Sequence, residues 1–120
     1  MAINDNDTDV FPTGNNRFLV RGFKSRQKLM NHWREHGFQY LGLTARQYEE
    51  KAVALAESAV GGDILGHIDK DGVVIRYDIC SNDFVKGRPA KGIFTMFKPS
   101  DGIRYYWLQK KEDLEHGGRA

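Results

Sequence analysis

One cysteine, Cys80, is all the thiol chemistry in this 120-residue chain. An internal disulfide framework and a cysteine-rich metal site are thereby excluded, and Cys80 reads as a small buried hydrophobe. No run of apolar residues is long enough to cross a bilayer. The N-terminus lacks the basic and apolar regions of a signal peptide, so the chain is expected to fold in a reducing cytosol or to arrive as part of something larger. Neither sign of charge dominates, since the net charge is only +2. That balance permits an anionic partner without demanding one, and any case for nucleic acid must rest on where the cations cluster. Repeats, low-complexity tracts and an internal domain boundary are also missing. What is present, 40% apolar and 12% aromatic residues, suffices for one core and not for two.

The stretch from Gly62 to Leu108 reads as an antiparallel sheet. Asp71-Gly72 lies between Asp63–Asp69 and Val73–Ile79, and Asp-Gly between two strand-like runs signals a hairpin whose turn residues reach φ > 0. A second hairpin is expected from Gly92–Lys98 and Ile103–Leu108 around Pro99-Ser-Asp-Gly102. Strand alternation puts Val73, Ile75, Tyr77 and Ile79 on one face and Val74, Arg76 and Asp78 on the other. The first face is then core and the second is open for chemistry.

Residues 1–16 are rich in Asn, Asp, Thr and Gly and are expected to be disordered. Arg17–Arg21 offers a short edge strand. Ser25 is a plausible N-cap for a helix to His36, with Leu29, Met30 and Trp33 as its apolar stripe and Lys28, His32 and His36 recurring every fourth residue beside it. Gly37 closes that helix. Thr44-Ala-Arg-Gln47 is a capping box for a second helix, whose buried stripe is Tyr48, Ala52, Leu55, Ala56 and Ala59 and whose end is Gly61-Gly62. Residues 109–120 read as a flexible tail. The expected architecture is α+β: a single domain over 17–108 with two N-terminal helices packed on one face of a four- to five-stranded antiparallel sheet.

On the open face this arrangement gathers Arg76, Asp78, Thr95, Phe97 and an aromatic from Tyr105, Tyr106 or Trp107, with the polar stripe of the first helix at its edge. Imidazoles, cations, a hydroxyl and stacking rings are the groups that metal-free RNA cleavage uses. A base takes the 2′-hydroxyl proton, an acid protonates the 5′-oxygen, and cations meet the charge building on phosphorus. Lys28, Arg76 and Lys98 can hold a phosphate, Thr95 can bond a non-bridging oxygen, and Phe97, Tyr106 or Trp107 can stack an unpaired base. Each feature also has a plainer reading. Helix histidines are usually surface or capping residues, Arg76 and Asp78 can form a cross-strand ion pair, the aromatics can be packing, and His67 reads as structural. No metal and no cofactor are expected, because His32 and His36 lack a zincin Glu and an evident third ligand.

Lys28–Gly37, Thr44–Tyr48, Arg76-Tyr-Asp78 with Asn82-Asp-Phe84, and Phe94–Pro99 with Gly102 and Tyr106-Trp107 resemble the toxin domains of the BECR ribonuclease superfamily. That group includes barnase, EndoU, colicin D and RelE, and the likeness is to colicin D-like C-terminal domains of polymorphic and contact-dependent inhibition toxins. In such domains a helix supplies basic residues and a His, matched here by Lys28 and His32. A later strand supplies a hydroxyl residue with an aromatic two positions on, matched by Thr95 and Phe97. Thr stands where Ser is more usual, and no Lys adjoins His32, so His36 competes with His32 for the role of base. The resemblance implies an endoribonuclease toxin acting in the bacterial cytoplasm, delivered within a larger secreted protein. It would cut transfer RNA or another structured RNA in a single-stranded loop and leave a 2′,3′-cyclic phosphate. The expected partners are RNA and a cognate acidic immunity protein, with no DNA, no membrane and a monomeric state. The competing reading is a non-catalytic RNA- or protein-binding module of the same fold, encoded by a phage or mobile element.

Overall fold

The structure, a computed structural model, describes residues 22–115. The expected disorder at 1–16, the edge strand at 17–21 and the chain end at 116–120 lie outside the described residues. Helix α1 spans Arg26–His36, and Ser25 caps it by accepting from the Lys28 backbone N–H at 3.1 Å. Gly37 does not adopt a left-handed closing conformation. Its φ is −57°, and the chain runs on through a 3₁₀ turn over Gly37–Gln39. Glycine suits the position for another reason, since a Cβ would press on the Trp33 ring at 3.2 Å. Helix α2 spans Ala45–Ala56 with the Thr44/Gln47 capping box formed on both sides, at 3.1 and 2.9 Å. It buries Tyr48, Ala52, Leu55 and Ala56 but ends before the exposed Ala59.

Four antiparallel strands follow in spatial order β1-β2-β3-β4: β1 Ile64–Ile68, β2 Val74–Asp78, β3 Asp83–Arg88 and β4 Gly92–Phe97. The β1–β2 hairpin forms where Asp71-Gly72 predicts it. Only Gly72 takes a positive φ (81°), because Asp69 holds the turn instead, its carboxylate accepting from the Asp71 and Val73 N–H groups at 2.8 and 2.9 Å. Strand β3 is an element that the sequence pattern does not announce. It pairs with both neighbours, so the chain reverses twice more, between β2 and β3 around residues 79–82 and between β3 and β4 around residues 89–91, and neither turn is the expected one at Pro99–Gly102.

The expected strand Ile103–Leu108 is instead the start of helix α3, Ile103–Glu115, which also takes in the first residues of the expected tail. Its less exposed positions, Tyr105, Tyr106, Gln109, Lys110 and Asp113, recur at three- and four-residue spacing. The aromatic and β-branched content of Ile-Arg-Tyr-Tyr-Trp favours a strand locally. The helix-forming Gln-Lys-Lys-Glu run beyond it and burial of Tyr106 override that preference.

The sheet is therefore covered on both faces rather than one. Val74, Val85, Ile93 and Met96 pack under α1 and α2 with Leu29, Tyr40, Tyr48, Ala52 and Leu55. Val73, Ile75, Tyr77 and Phe84 pack against Tyr106 of α3, with Phe97 and Tyr105 at the margin. The alternation along β2 sorts the side chains as expected, but the face reserved for chemistry is the interior of the larger core.

Candidate functional site

The expected groove does not form. Arg76 is fully buried on the α2 side, where its Nε donates to Ser58 O at 2.9 Å and its Nη1 to Ile75 O at 2.8 Å. Gly66 across the ladder makes the room, for a Cβ there would lie 2.6 Å from Arg76 Cδ and Nη1. Burial pushes the guanidinium down to about 10, so it stays charged near neutral pH but cannot meet a ligand outside. Thr95 lies on the opposite face, since its ladder partner Lys86 is in turn opposite Ile75, which packs under α3. Arg76 and Thr95 thus point to different layers.

Lys98 is committed elsewhere too. Its ammonium donates to Asp83 Oδ1 at 2.9 Å and Ser81 O at 2.8 Å and lies 4.8 Å from the Tyr40 ring centre. Asp83, almost wholly buried, also accepts from the Tyr40 hydroxyl at 2.8 Å and the Ser81 hydroxyl at 2.6 Å, and Lys51 stands 3.4 Å away. Burial alone would raise the Asp83 carboxyl; the hydrogen bonds from Ser81, Lys98 and Tyr40 outweigh it and hold the carboxyl below its usual range. Asp78 closes the β2–β3 turn by accepting from the Cys80 and Ser81 N–H groups at 2.9 and 3.4 Å. Cys80, expected to be buried, is exposed in that turn. Of the expected stacking rings, Tyr106 is buried with its hydroxyl 3.0 Å from His67 Nδ1, and Trp107 is exposed on α3 under Lys110.

What the fold does assemble lies where the end of α1 meets the end of β4. Gln39 makes the junction: its carboxamide accepts from Lys98 N–H and donates to Lys98 O, both at 2.9 Å, like one added rung of the sheet. This register sets the His36 ring against Phe97, with centroids 5.4 Å apart and planes inclined 24°. His32 stacks behind His36 at 6.0 Å and 18°, and Phe23 lies 5.4 Å beyond His32. Beside this column opens a cavity of about 420 Å³ lined by Glu35, His36, Phe38, Phe97, Lys98 and Tyr105, among others. Lys28, one helical turn before His32, is exposed.

Burial is the main cause that lowers the His32 pKa, followed by the neighbouring His36; Glu35 opposes, and Lys28 adds the smallest push in the lowering direction. The imidazole is consequently biased toward its neutral, proton-accepting form. Its Nδ1 is buried without a hydrogen-bond partner among the described residues. Glu35, visible in the His-Xaa-Xaa-Glu-His spacing but passed over in the sequence, lies in the same turn. The ligand atoms of His32, Glu35 and His36 all lie within 4.8 Å of one another. Gln39 and Tyr105 carried no signal, as their roles depend on the β4 register and on α3 being a helix.

A comparison of the chain with protein families found no match, and neither did a comparison with curated proteins. Among the described residues no helix is long and apolar enough to cross a membrane. The site thus offers two adjacent imidazoles, one held toward neutrality, beside an aromatic-walled cavity.

Proposed function

We propose that the domain is a metal-independent endoribonuclease toxin domain that cuts transfer RNA or another structured RNA in a single-stranded loop. The observation that carries this reading is the stacked His32–His36 pair against Phe97 at the mouth of the cavity. Neutral His32 takes the proton from a ribose 2′-hydroxyl, whose oxygen attacks the adjacent phosphorus. As the bond to the 5′-oxygen breaks, His36 returns a proton to that oxygen, leaving a 2′,3′-cyclic phosphate and a 5′-hydroxyl. A base unpaired in its loop can stack on the exposed Phe38 or on Phe97. Lys28, exposed one helical turn before His32, is a cation that can meet the phosphate. A cognate immunity protein would act by covering the cavity mouth.

A second reading, a non-catalytic RNA- or protein-binding module of the same fold, is favoured by one observation: Arg76 and Lys98 are both withdrawn into the scaffold. Incubating the purified domain with total bacterial RNA, with and without EDTA, separates the two. Under the nuclease reading discrete fragments with cyclic phosphate ends appear in both lanes. His32→Ala and His36→Ala should each slow cleavage by about 10²- to 10⁴-fold, the usual worth of positioned proton transfer. Intact RNA in every lane, from a protein that retards RNA on a native gel, would establish the binding module instead.

A further inference from the structure

We propose that His32, Glu35 and His36 form a binding site for a single divalent transition cation of the zinc type. Positions i, i+3 and i+4 lie on one side of a helix within a single turn, and paired histidines four apart on a helix are a spacing that zinc sites use. Here the three ligand atoms already converge to within 4.8 Å of one another. Tetrahedral ligands about 2.1 Å from an ion are separated by roughly 3.4 Å, so up to about 1.4 Å of closure is required. Glu35 can supply it: its side chain is 69% exposed, and its Oε1 stands 3.8 Å from His36 Nε2.

The donor set chooses the ion. Two imidazole nitrogens and one carboxylate oxygen suit zinc and its transition-metal neighbours, whereas calcium and magnesium call for oxygen-dominated shells. The ligands are also free to bind. His32 makes no hydrogen bond at Nδ1 among the described residues, so no protein group competes for that nitrogen. Three protein ligands leave a fourth position for water, and since Glu35 and His36 line the cavity, that position opens toward it. The helix carrying the set is held at both ends, by the Ser25 cap and by the Gln39–Lys98 pairing.

Occupancy would take the lone pairs that proton transfer needs, so the ion acts as an inhibitor of cleavage. That consequence rests on the nuclease reading, whereas the site itself does not. The test uses the tag-free, chelator-stripped domain titrated with Zn²⁺ by calorimetry and with Co²⁺ by visible absorption, without RNA. One ion per domain and the absorption of low-symmetry, four-coordinate Co²⁺ are expected. His32→Gln and His36→Gln should each weaken binding by at least about 100-fold and Glu35→Gln by about 10-fold or more, taking outer-shell losses as a lower guide. Circular dichroism confirms that each variant is folded, and His36→Asn replaces any that is not. Absence of binding to the wild-type domain, or unchanged affinity in the His32→Gln/His36→Gln variant, overturns the proposal. Zn²⁺ binding with the expected variant losses but no RNA cleavage supports the site and overturns the nuclease reading. Cleavage that Zn²⁺ suppresses and EDTA restores supports both.

Discussion

Replacing Lys98 by Met separates a structural lysine from a phosphate-binding one. The ammonium is 2.9 Å from an Asp83 carboxylate that is only 2% exposed, and removing it leaves that charge with Lys51 at 3.4 Å as its nearest cation. Breaking a buried pair by deleting one partner typically costs about 3–5 kcal/mol, because the orphaned ion has lost its compensation for desolvation. Lys51 and the Tyr40 and Ser81 hydroxyls remain, so the low end applies, about 3 kcal/mol. At about 4 °C per kcal/mol for a domain of this size, the melting temperature should fall by about 12 °C. Urea unfolding of Lys98→Met, Asp83→Asn and the double variant completes a cycle, and a coupling of about 1 kcal/mol or more is expected between the two sites. A Lys98→Met protein that keeps its stability within about 0.5 kcal/mol while losing RNA affinity or cleavage would refute this reasoning and return Lys98 to the substrate. The Asp83 carboxyl, held below its usual range in the folded state, also sets an acid limit. Its contribution is whole above the ordinary aspartate value and is lost as pH falls through the folded one.

Two further outcomes follow from the scaffold. Gly66→Ala should destabilise by about 1–3 kcal/mol in chemical denaturation, as its Cβ would sit 2.6 Å from Arg76 and 2.7 Å from the Ile75 carbonyl; a neutral result would mean that Arg76 readily repacks. Neutral His67 donates from Nε2 to Asp113 at 2.7 Å and accepts at Nδ1 from the Tyr106 hydroxyl, and burial lowers its pKa although Asp113 opposes. With the folded value depressed, the unfolded chain takes up the proton first on acidification. Stability should hold above about pH 6.5 and decline below it, more steeply in wild type than in His67→Gln, and equal slopes in urea titrations across pH would count against the pairing.

Helices α1 and α2 were legible because their signals are local. A Ser25 cap, the Thr44/Gln47 box and an apolar stripe at helical period each need only neighbours in sequence, and α1 and α2 appear where they predict. The Asp71-Gly72 hairpin was legible for the same reason. Strand β3 was not, for Asp83-Phe-Val-Lys-Gly-Arg alternates poorly and carries a bulge at Lys86/Gly87. What makes it a strand is pairing on both edges, which no window of sequence contains. Helix α3 failed by period: three aromatics and an isoleucine beside a turn-like Pro-Ser-Asp-Gly imitate a hairpin strand until the polar half of the helix is counted with them. The face left open for Arg76 and Asp78 is the one that α1 and α2 cover, while α3 covers the opposite face.

At the site, sequence reasoning named the groups that meet and misjudged the cations. His32, His36 and Phe97 converge because helix periodicity and strand alternation each place a side chain without outside help, and Gln39 then locks the two elements in register. An arginine in a strand, by contrast, is read as facing water because burying its charge is costly. Here that cost is offset by carbonyls at Ser58 and Ile75 and by space at Gly66, a long-range coincidence. The consequence reaches function. With Arg76 buried against Ser58 O and Lys98 paired with Asp83, the cavity has the His36 imidazole and aromatic rings on its wall but, among the described residues, no guanidinium. A phosphate bound there would depend on Lys28, on a protonated His36, or on an ion held by the His32–Glu35–His36 turn. Under the proposed nuclease reading the first two are compatible with proton transfer and the last excludes it, so that metal occupancy would switch cleavage off.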